Sequence, residues 1–172
     1  ECYVTICDVT GHGIDAALLA SRVSSEVRYL VFQHRRPWEI VSEVNAFVWK
    51  YFRENNLQLS LFVAQLDLVD ARVTYSGAGH PAQLLVRRDG HRVDKLDSQN
   101  MLVGVRQECM SVEPEHGTTI EVGDQMVLFT DGLPETGDAD GQMFGEDRLI
   151  DLAMASYCRG AANMADCILE RV

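Results

Sequence analysis

Hydrophobic and polar positions along the chain follow two different periods. A β-prone run, Tyr3, Val4, Ile6 and Cys7, leads to an acidic residue, Asp8, and a Gly-x-Gly turn. From Ile14 to Phe32, apolar Ile14, Ala17, Leu18, Val27, Leu30 and Val31 recur at helical spacing and predict one amphipathic helix. Arg35-Arg36-Pro37 ends it, since proline and the residue before it resist helix continuation. A second helix is predicted over residues 37–53, with Pro37 in its first turn and Ile40, Val44, Phe47, Val48 and Tyr51 on its core face. Trp38 and Trp49 are expected to pack with that face. Stripes of this period read as core, not as cofactor contacts.

Asn55-Asn56 closes the helix, and the period then shortens to two. Residues 59–68, 73–76, 82–86 and 91–96 predict successive antiparallel strands, with turns at Asp70-Ala71 and Asp89-Gly90. Tight turns between sequential strands imply a meander, not a parallel nucleotide-binding sheet, and no GxGxxG or P-loop pattern argues otherwise. Ser76-Gly77-Ala78-Gly79-His80-Pro81 interrupts the meander; His80 is expected to orient that turn by hydrogen bonds, with contact to an active site as the other reading. His34, His91 and His116 sit in polar contexts and are expected to face solvent. Further strands are predicted near 110–113, over 118–122 and over 125–130, and helices over 149–154 and 161–172. By pattern the fold class is α+β.

With 172 residues, the chain suits one domain with a substantial core. A net charge of −11 excludes a basic nucleic-acid surface. No apolar run approaches the roughly 20 residues of a membrane span, and no signal-peptide pattern opens the sequence. Five cysteines (Cys2, Cys7, Cys109, Cys158, Cys167) form no CxxC pair, which fits thiols in a reducing cytoplasm better than a disulfide framework. None has a neighbouring motif that would activate a thiol nucleophile.

Two stretches carry candidate chemistry. In Ile6-Cys7-Asp8-Val9-Thr10-Gly11-His12-Gly13, a strand delivers an aspartate beside a helix N-terminus, whose free N–H groups favour anions. Asp8 could thus serve a metal–phosphate pair, or it could cap the helix or form a turn. The stretch from Gly123 to Gly132 repeats the design, ending a buried-looking strand in Asp131-Gly132. Two such aspartates can converge on hard cations, Mg²⁺ or Mn²⁺, and no Cys/His cluster at zinc spacing competes. Asp138 and Asp140 form a fragment of a calcium-loop pattern without its distal Glu and read as a solvated loop.

The first stretch, with Ala16-Ala17-Leu18, resembles the first metal motif of bacterial PPM-type metal-dependent serine/threonine phosphatases, in their SpoIIE-like and RsbU-like branch. Ala78-Gly79-His80-Pro81, Leu102-Val103-Gly104-Val105, Phe129-Thr130-Asp131-Gly132-Leu133-Pro134-Glu135 and Phe144-Gly145-Glu146-Asp147-Arg148-Leu149 follow in the family's order. Any one motif is weak; five in order are strong. The resemblance implies an antiparallel β-sandwich flanked by helical layers, α-β-β-α. It implies two Mn²⁺ or Mg²⁺ ions that activate water, with Asp8 bridging, the Val9 carbonyl on one metal and Asp131 on the other. His12 is the candidate general acid for the leaving oxygen; Glu135 is typical of its segment and is expected to brace it. Ser60 stands where relatives often carry threonine. Family members also carry an upstream Gly-Gly-Asp segment and a final Asp-Asp-x-Thr-type strand, so a single phosphatase domain over 1–172 lacking its first strands and its last is expected. The implied substrate is a phosphoserine or phosphothreonine protein, typically an anti-sigma-factor antagonist, with sensory or receiver modules fused to the domain. Dimerisation through the long N-terminal helices suits a signalling domain. The rival reading is a catalytically silent regulatory domain that binds a partner through the same fold.

Overall fold

A computed structural model describes residues 1–55, 57–108, 111, 113–138 and 140–172. It has the predicted α+β character: two antiparallel sheets and four helices, in two compact units. The first unit comprises residues 1–80 and 97–119, the second 81–96 and 120–172.

In the first unit, β1 (Cys2–Val9), β2 (Leu59–Asp67), β3 (Arg72–Ala78) and β6 (His116–Thr119) form a sheet in the order β1-β2-β3-β6. α1 (Ile14–Phe32) and α2 (Pro37–Phe52) cover one face. Along β2 the alternate residues Leu59, Leu61 and Val63 meet Leu19, Val23, Val27 and Leu30 of α1 and Ile40, Val41, Val44 and Val48 of α2. On the other face the Phe62 and Tyr75 rings stack with centroids 5.6 Å apart. The break between helices forms as expected: Pro37 opens α2, and the Glu39 carboxylate accepts the Arg36 N–H (2.9 Å) and the Arg35 guanidinium (3.3 Å).

The predicted face of α1 needs correction. Ile14, Ala17 and Leu18 point outward, and Ala16, Leu19 and Val23 are buried with Val27 and Leu30. On α2, Tyr51 is exposed, and Val41 and Asn45 are buried instead. Trp38 and Trp49 are half-buried. Both helices are apolar over more than one face, so the period identifies a helix without fixing its azimuth.

In the second unit, β4 (Gln83–Val86) lies between β5 (Val93–Leu96) and β7 (Gln125–Val127). A core of Leu84, Val86, Phe129, Leu149, Ala153, Met164 and Ile168 joins this sheet to α3 (Glu146–Ser156) and α4 (Ala161–Leu169). Arg87 lies between Asp94 and Asp124, with Nε 2.8 Å from one and Nη1 2.8 Å from the other. Burial alone would raise the Asp124 carboxyl. The N–H groups of Glu121 and Arg88, with the Arg87 guanidinium, outweigh it and hold the group below the usual carboxylate range.

The expected meander holds for β1-β2-β3 and for the β4–β5 hairpin, but β3 does not pair with β4. The chain leaves the first sheet at Ala78, and β6 and β7 each return to a different sheet. β7 ends at Val127, earlier than predicted, and β6 spans 116–119 in place of 118–122. The strand expected near 110–113 falls at Met110 and Val112 outside the described residues.

Candidate functional site

Asp8 is the penultimate residue of β1, an edge strand, and stands opposite Ser60 of β2. Its neighbours Cys7 and Val9 pack toward the helices, so alternation places Asp8 on the other face, which it shares with Ser60. There its carboxylate is exposed, and no hydrogen bond or ion pair engages it among the described residues. It does not cap α1: the N-cap is Gly13, with no side-chain cap. That leaves the first N–H groups of the helix uncapped. Beneath Asp8, Ser60 Oγ lies 2.7 Å from Nδ1 of the buried His80. His80 has the structural role expected of it: Ser98 Oγ accepts its N–H (3.0 Å) and donates back to its carbonyl (2.6 Å).

The Val9 carbonyl is also available. Its partner Leu59 uses its own N–H and C=O on Val103, which makes Val9–Leu59 a non-hydrogen-bonded pair. The backbone of Val9 is thereby directed to the open edge of β1. Beyond it, Thr10 and Gln58 clasp each other: Thr10 N–H and Oγ1 donate to the Gln58 carbonyl (2.9 and 3.0 Å), and Gln58 N–H donates to Thr10 Oγ1 (3.1 Å). Gly11 and Gly13 have φ of +89° and +94°, and a Cβ at either would meet nothing within 4 Å. They serve backbone angle and open space, not close packing. His12 sits exposed between them. Burial first, then the Asp8 charge, pushes the Cys7 thiol up, which disfavours its thiolate.

Asp131 opens a turn over residues 131–135 in the second unit; its carbonyl accepts the Glu135 N–H (3.0 Å), while its carboxylate is exposed and unengaged among the described residues. What precedes it is held by a residue no motif identified. Gln83, fully buried on β4, accepts the Phe129 N–H at Oε1 (2.8 Å) and donates Nε2 to the carbonyls of Phe129 (3.0 Å) and Pro81 (2.8 Å). β7 has already ended at Val127, so a side-chain amide takes over from the ladder two residues before Asp131. The turn's far side is tied by Phe144 N–H to Thr136 O and Gly145 N–H to Pro134 O, both 2.8 Å. Asp138 folds onto its own loop, Oδ1 accepting the N–H groups of Asp140 and Gln142. That is the solvated turn expected there.

The remaining motifs are backbone devices. A Cβ on Gly79 would lie 2.5 Å from Leu102 Cγ, and one on Gly104 (φ +88°) 2.9 Å from Val48 Cγ1. Gly104 N–H donates to Oδ1 of the buried Asn45 (2.9 Å), whose amide nitrogen donates to the carbonyls of Arg106 and Gln107. Among the described residues no group of three or more His, Cys, Asp or Glu gathers around a metal-sized space.

The family model for Stage II sporulation protein E (SpoIIE) matches residues 1–172. The chain belongs to the SpoIIE family. It is 26% identical over 174 residues to phosphoserine phosphatase RsbU of Bacillus subtilis (strain 168), with 97% of this chain aligned, and spans about half (50%) of that relative's length. The SiaA-PP2C domain of Pseudomonas aeruginosa superposes with a TM-score of 0.83 at 18% identity, over 98% of this chain and 67% of the other. The RsbU and RsbW domains of Rv1364c from Mycobacterium tuberculosis give 0.79 at 22% identity, over 96% and 47%. The fold is therefore that of PP2C-like, PPM-type phosphatase domains.

Proposed function

We propose that this SpoIIE-family domain is a metal-dependent protein serine/threonine phosphatase acting on phosphoserine or phosphothreonine of a bacterial signalling partner, an anti-sigma-factor antagonist. The observation that carries this reading is the state of two side chains. In a chain matched end to end by the family model, Asp8 and Asp131 are both exposed, unengaged and braced by buried hydrogen-bond networks. Solvated, unpaired carboxylates and an open backbone carbonyl are the hard oxygen donors that Mg²⁺ and Mn²⁺ take, usually with several waters kept. Donors of this type suit such ions, of which the family resemblance implies two. Asp8 and the Val9 carbonyl would hold metal in the first unit, and Asp131 in the second. When bound, the ions supply an acidified water nucleophile and neutralise charge on the phosphoryl oxygens.

The chain's own groups do the rest. The uncapped N-terminus of α1 offers N–H groups to phosphoryl oxygens. His12, exposed on the loop that precedes it, would give a proton to the departing serine or threonine oxygen. Ser60–His80 and Gln83 fix the backbone from which the carboxylates project. The domain works in a cytoplasmic signalling protein beside sensory or receiver modules.

The test is hydrolysis of an aryl phosphate with Mn²⁺, alongside Mn²⁺ titration calorimetry, for wild type, Asp8→Ala and Asp131→Asn. Activity and metal heat in the wild type, both lost in the variants with unchanged circular dichroism, is the expected outcome. Turnover retained by either variant refutes the site. A wild type that neither binds Mn²⁺ nor turns over is the catalytically silent partner-binding domain instead.

A further inference from the structure

We propose that a groove along α3, in the second unit, is a binding site for a small phosphate monoester. It consists of two cavities. The larger, about 360 Å³, is lined by Phe144, Arg148 and Leu152, and the smaller, about 140 Å³, by Ser156, Arg159 and Cys167. Leu152 and Arg171 line both, so the two adjoin. Arg148, Leu152 and Ser156 recur four residues apart and place one face of α3 along the groove. Arg159 closes the short helical turn that follows, Tyr157–Arg159, and Arg171 comes from beyond the end of α4. Neither Asp8, His12 nor Asp131 lines either cavity, so binding there does not depend on metal or turnover.

The basic residues of the second unit sort by place. Arg87 pairs with Asp94 and Asp124, Arg88 with Glu121, Arg92 with Asp94, and Lys95 with Glu146. The other three, Arg148, Arg159 and Arg171, all line the groove, and none forms an ion pair among the described residues. Asp151 and Glu170 share the lining and take none of these guanidinium donors. Arg159 donates an Nη1–H to the Cys167 thiol at 3.1 Å, a weak acceptor where an arginine ordinarily meets an anion. Ser156, lining the same cavity, is 4% exposed, caps nothing and has no hydrogen-bond partner among the described residues. A buried hydroxyl left unpaired is costly, and this one borders open space that a ligand oxygen can enter.

A phosphoryl group meets both needs. It brings three acceptor oxygens and close to two negative charges, which guanidinium forks bind bidentately and a serine hydroxyl can donate to. The smaller cavity has room for such a group and little else. The larger reaches the roughly 300–1,000 Å³ of small-molecule sites and adds an aromatic and an aliphatic wall. The phosphoryl group therefore lies between Arg159, Arg171 and Ser156, and the apolar body of the ester lies over Phe144 and Leu152, with Arg148 at the rim.

Isothermal titration calorimetry of the purified protein reads this directly, with EDTA present to keep metal ions out. The probes are phenyl phosphate, inorganic phosphate and benzoate. Phenyl phosphate is expected to bind once per chain, at least about tenfold tighter than either of the others, because only it fills both cavities. Arg159→Gln weakens it at least about tenfold and Ser156→Ala about three- to tenfold, each with an unchanged circular dichroism spectrum. Arg88→Gln, an arginine of the same unit outside the groove, leaves the affinity as it is. No heat from phenyl phosphate up to about 10 mM, or binding indifferent to both Arg159→Gln and Ser156→Ala, overturns the site. Inorganic phosphate or benzoate binding as tightly as the ester overturns the assignment of its ligand.

Discussion

Replacing Gln83 tests how the Asp131 turn is held. Gln83→Leu keeps the volume and apolar fit of a fully buried position and removes three hydrogen bonds, two to Phe129 and one to Pro81. Phe129 and Gln83 are both buried, so the two bonds between them are lost where water cannot replace them; Pro81 is half-buried and counts for less. At about 1–3 kcal/mol for each unsatisfied buried group, the loss is about 2–6 kcal/mol. The better transfer of Leu offsets about 1–2 kcal/mol, for a net cost of up to about 5 kcal/mol. Gln83→Glu sharpens the test. It keeps the acceptor for the Phe129 N–H but sets carboxylate oxygen against two carbonyls, so its folded-state pKa is raised above the unfolded value. The penalty is then full above the folded pKa and shrinks as pH falls toward the unfolded one. Urea unfolding followed by far-UV circular dichroism is the assay, because both tryptophans lie on α2, in the other unit. Amide exchange of a 125–135 peptide adds a local reading and should accelerate in both variants. Gln83→Leu at wild-type stability with unchanged exchange, or a Gln83→Glu deficit that does not narrow from pH 8 to pH 5, would refute the clamp.

Other substitutions separate scaffold from chemistry. Arg87→Met removes the charge partner of Asp124, whose side chain is only 4% exposed, and leaves it the Glu121 and Arg88 N–H groups. It should cost up to about 3–5 kcal/mol in urea unfolding. Because the Asp124 carboxyl is lowered in the fold, its stabilisation is present above the ordinary carboxylate pKa and is lost as pH falls through the lower folded value. The acid limb of a wild-type stability–pH curve should therefore be steeper than that of Arg87→Met. Gly104→Ala combines a φ of +88° with a Cβ 2.9 Å from Val48 and 3.1 Å from the Leu57 carbonyl. It should lower the thermal midpoint by at least several degrees, as a change of about 1–3 kcal/mol does. Ser60→Ala removes the bond to His80 Nδ1 and should cost about 1 kcal/mol in the same denaturation assay.

α1 and α2 were legible almost to the residue because strong local signals bracket them: Gly11-x-Gly13 before α1 and Pro37 at the start of α2. α3 begins three residues before and ends two after the predicted 149–154, and α4 ends at Leu169, short of the predicted 172. The outward face of α1 was not legible, since Ile14 and Leu18 are as apolar as Leu19 and Val23. Periodicity reports that a stripe exists, and a helix with two stripes offers two equally good answers. The strands were found by alternation, but their pairing was not. Whether β3 turns into β4 or leaves the sheet depends on the Gly77–His80 crossing, where Ser98, Gln99 and Asn100 bond Gly77, Gly79 and His80 from a distant segment. A contact of that range has no local trace. Gln83 did have one. A lone amide inside an otherwise apolar strand is costly unless fully bonded, so it marks a buried polar task even where no motif exists.

The five motifs divide by what a substitution there would reveal. Gly79 and Gly104 have no room for a Cβ, His80 is buried in hydrogen bonds, and Gly145 (φ +86°) turns the chain into α3. Loss of any of these should appear first as unfolding. Asp8 and Asp131 are different in kind, because each projects into solvent from a backbone fixed by other residues and has no folding partner to lose. An aspartate held rigidly and bonded to nothing contributes little to stability. Its removal should leave the fold intact, so a loss of metal binding or turnover at these two positions can be assigned to chemistry and not to collapse.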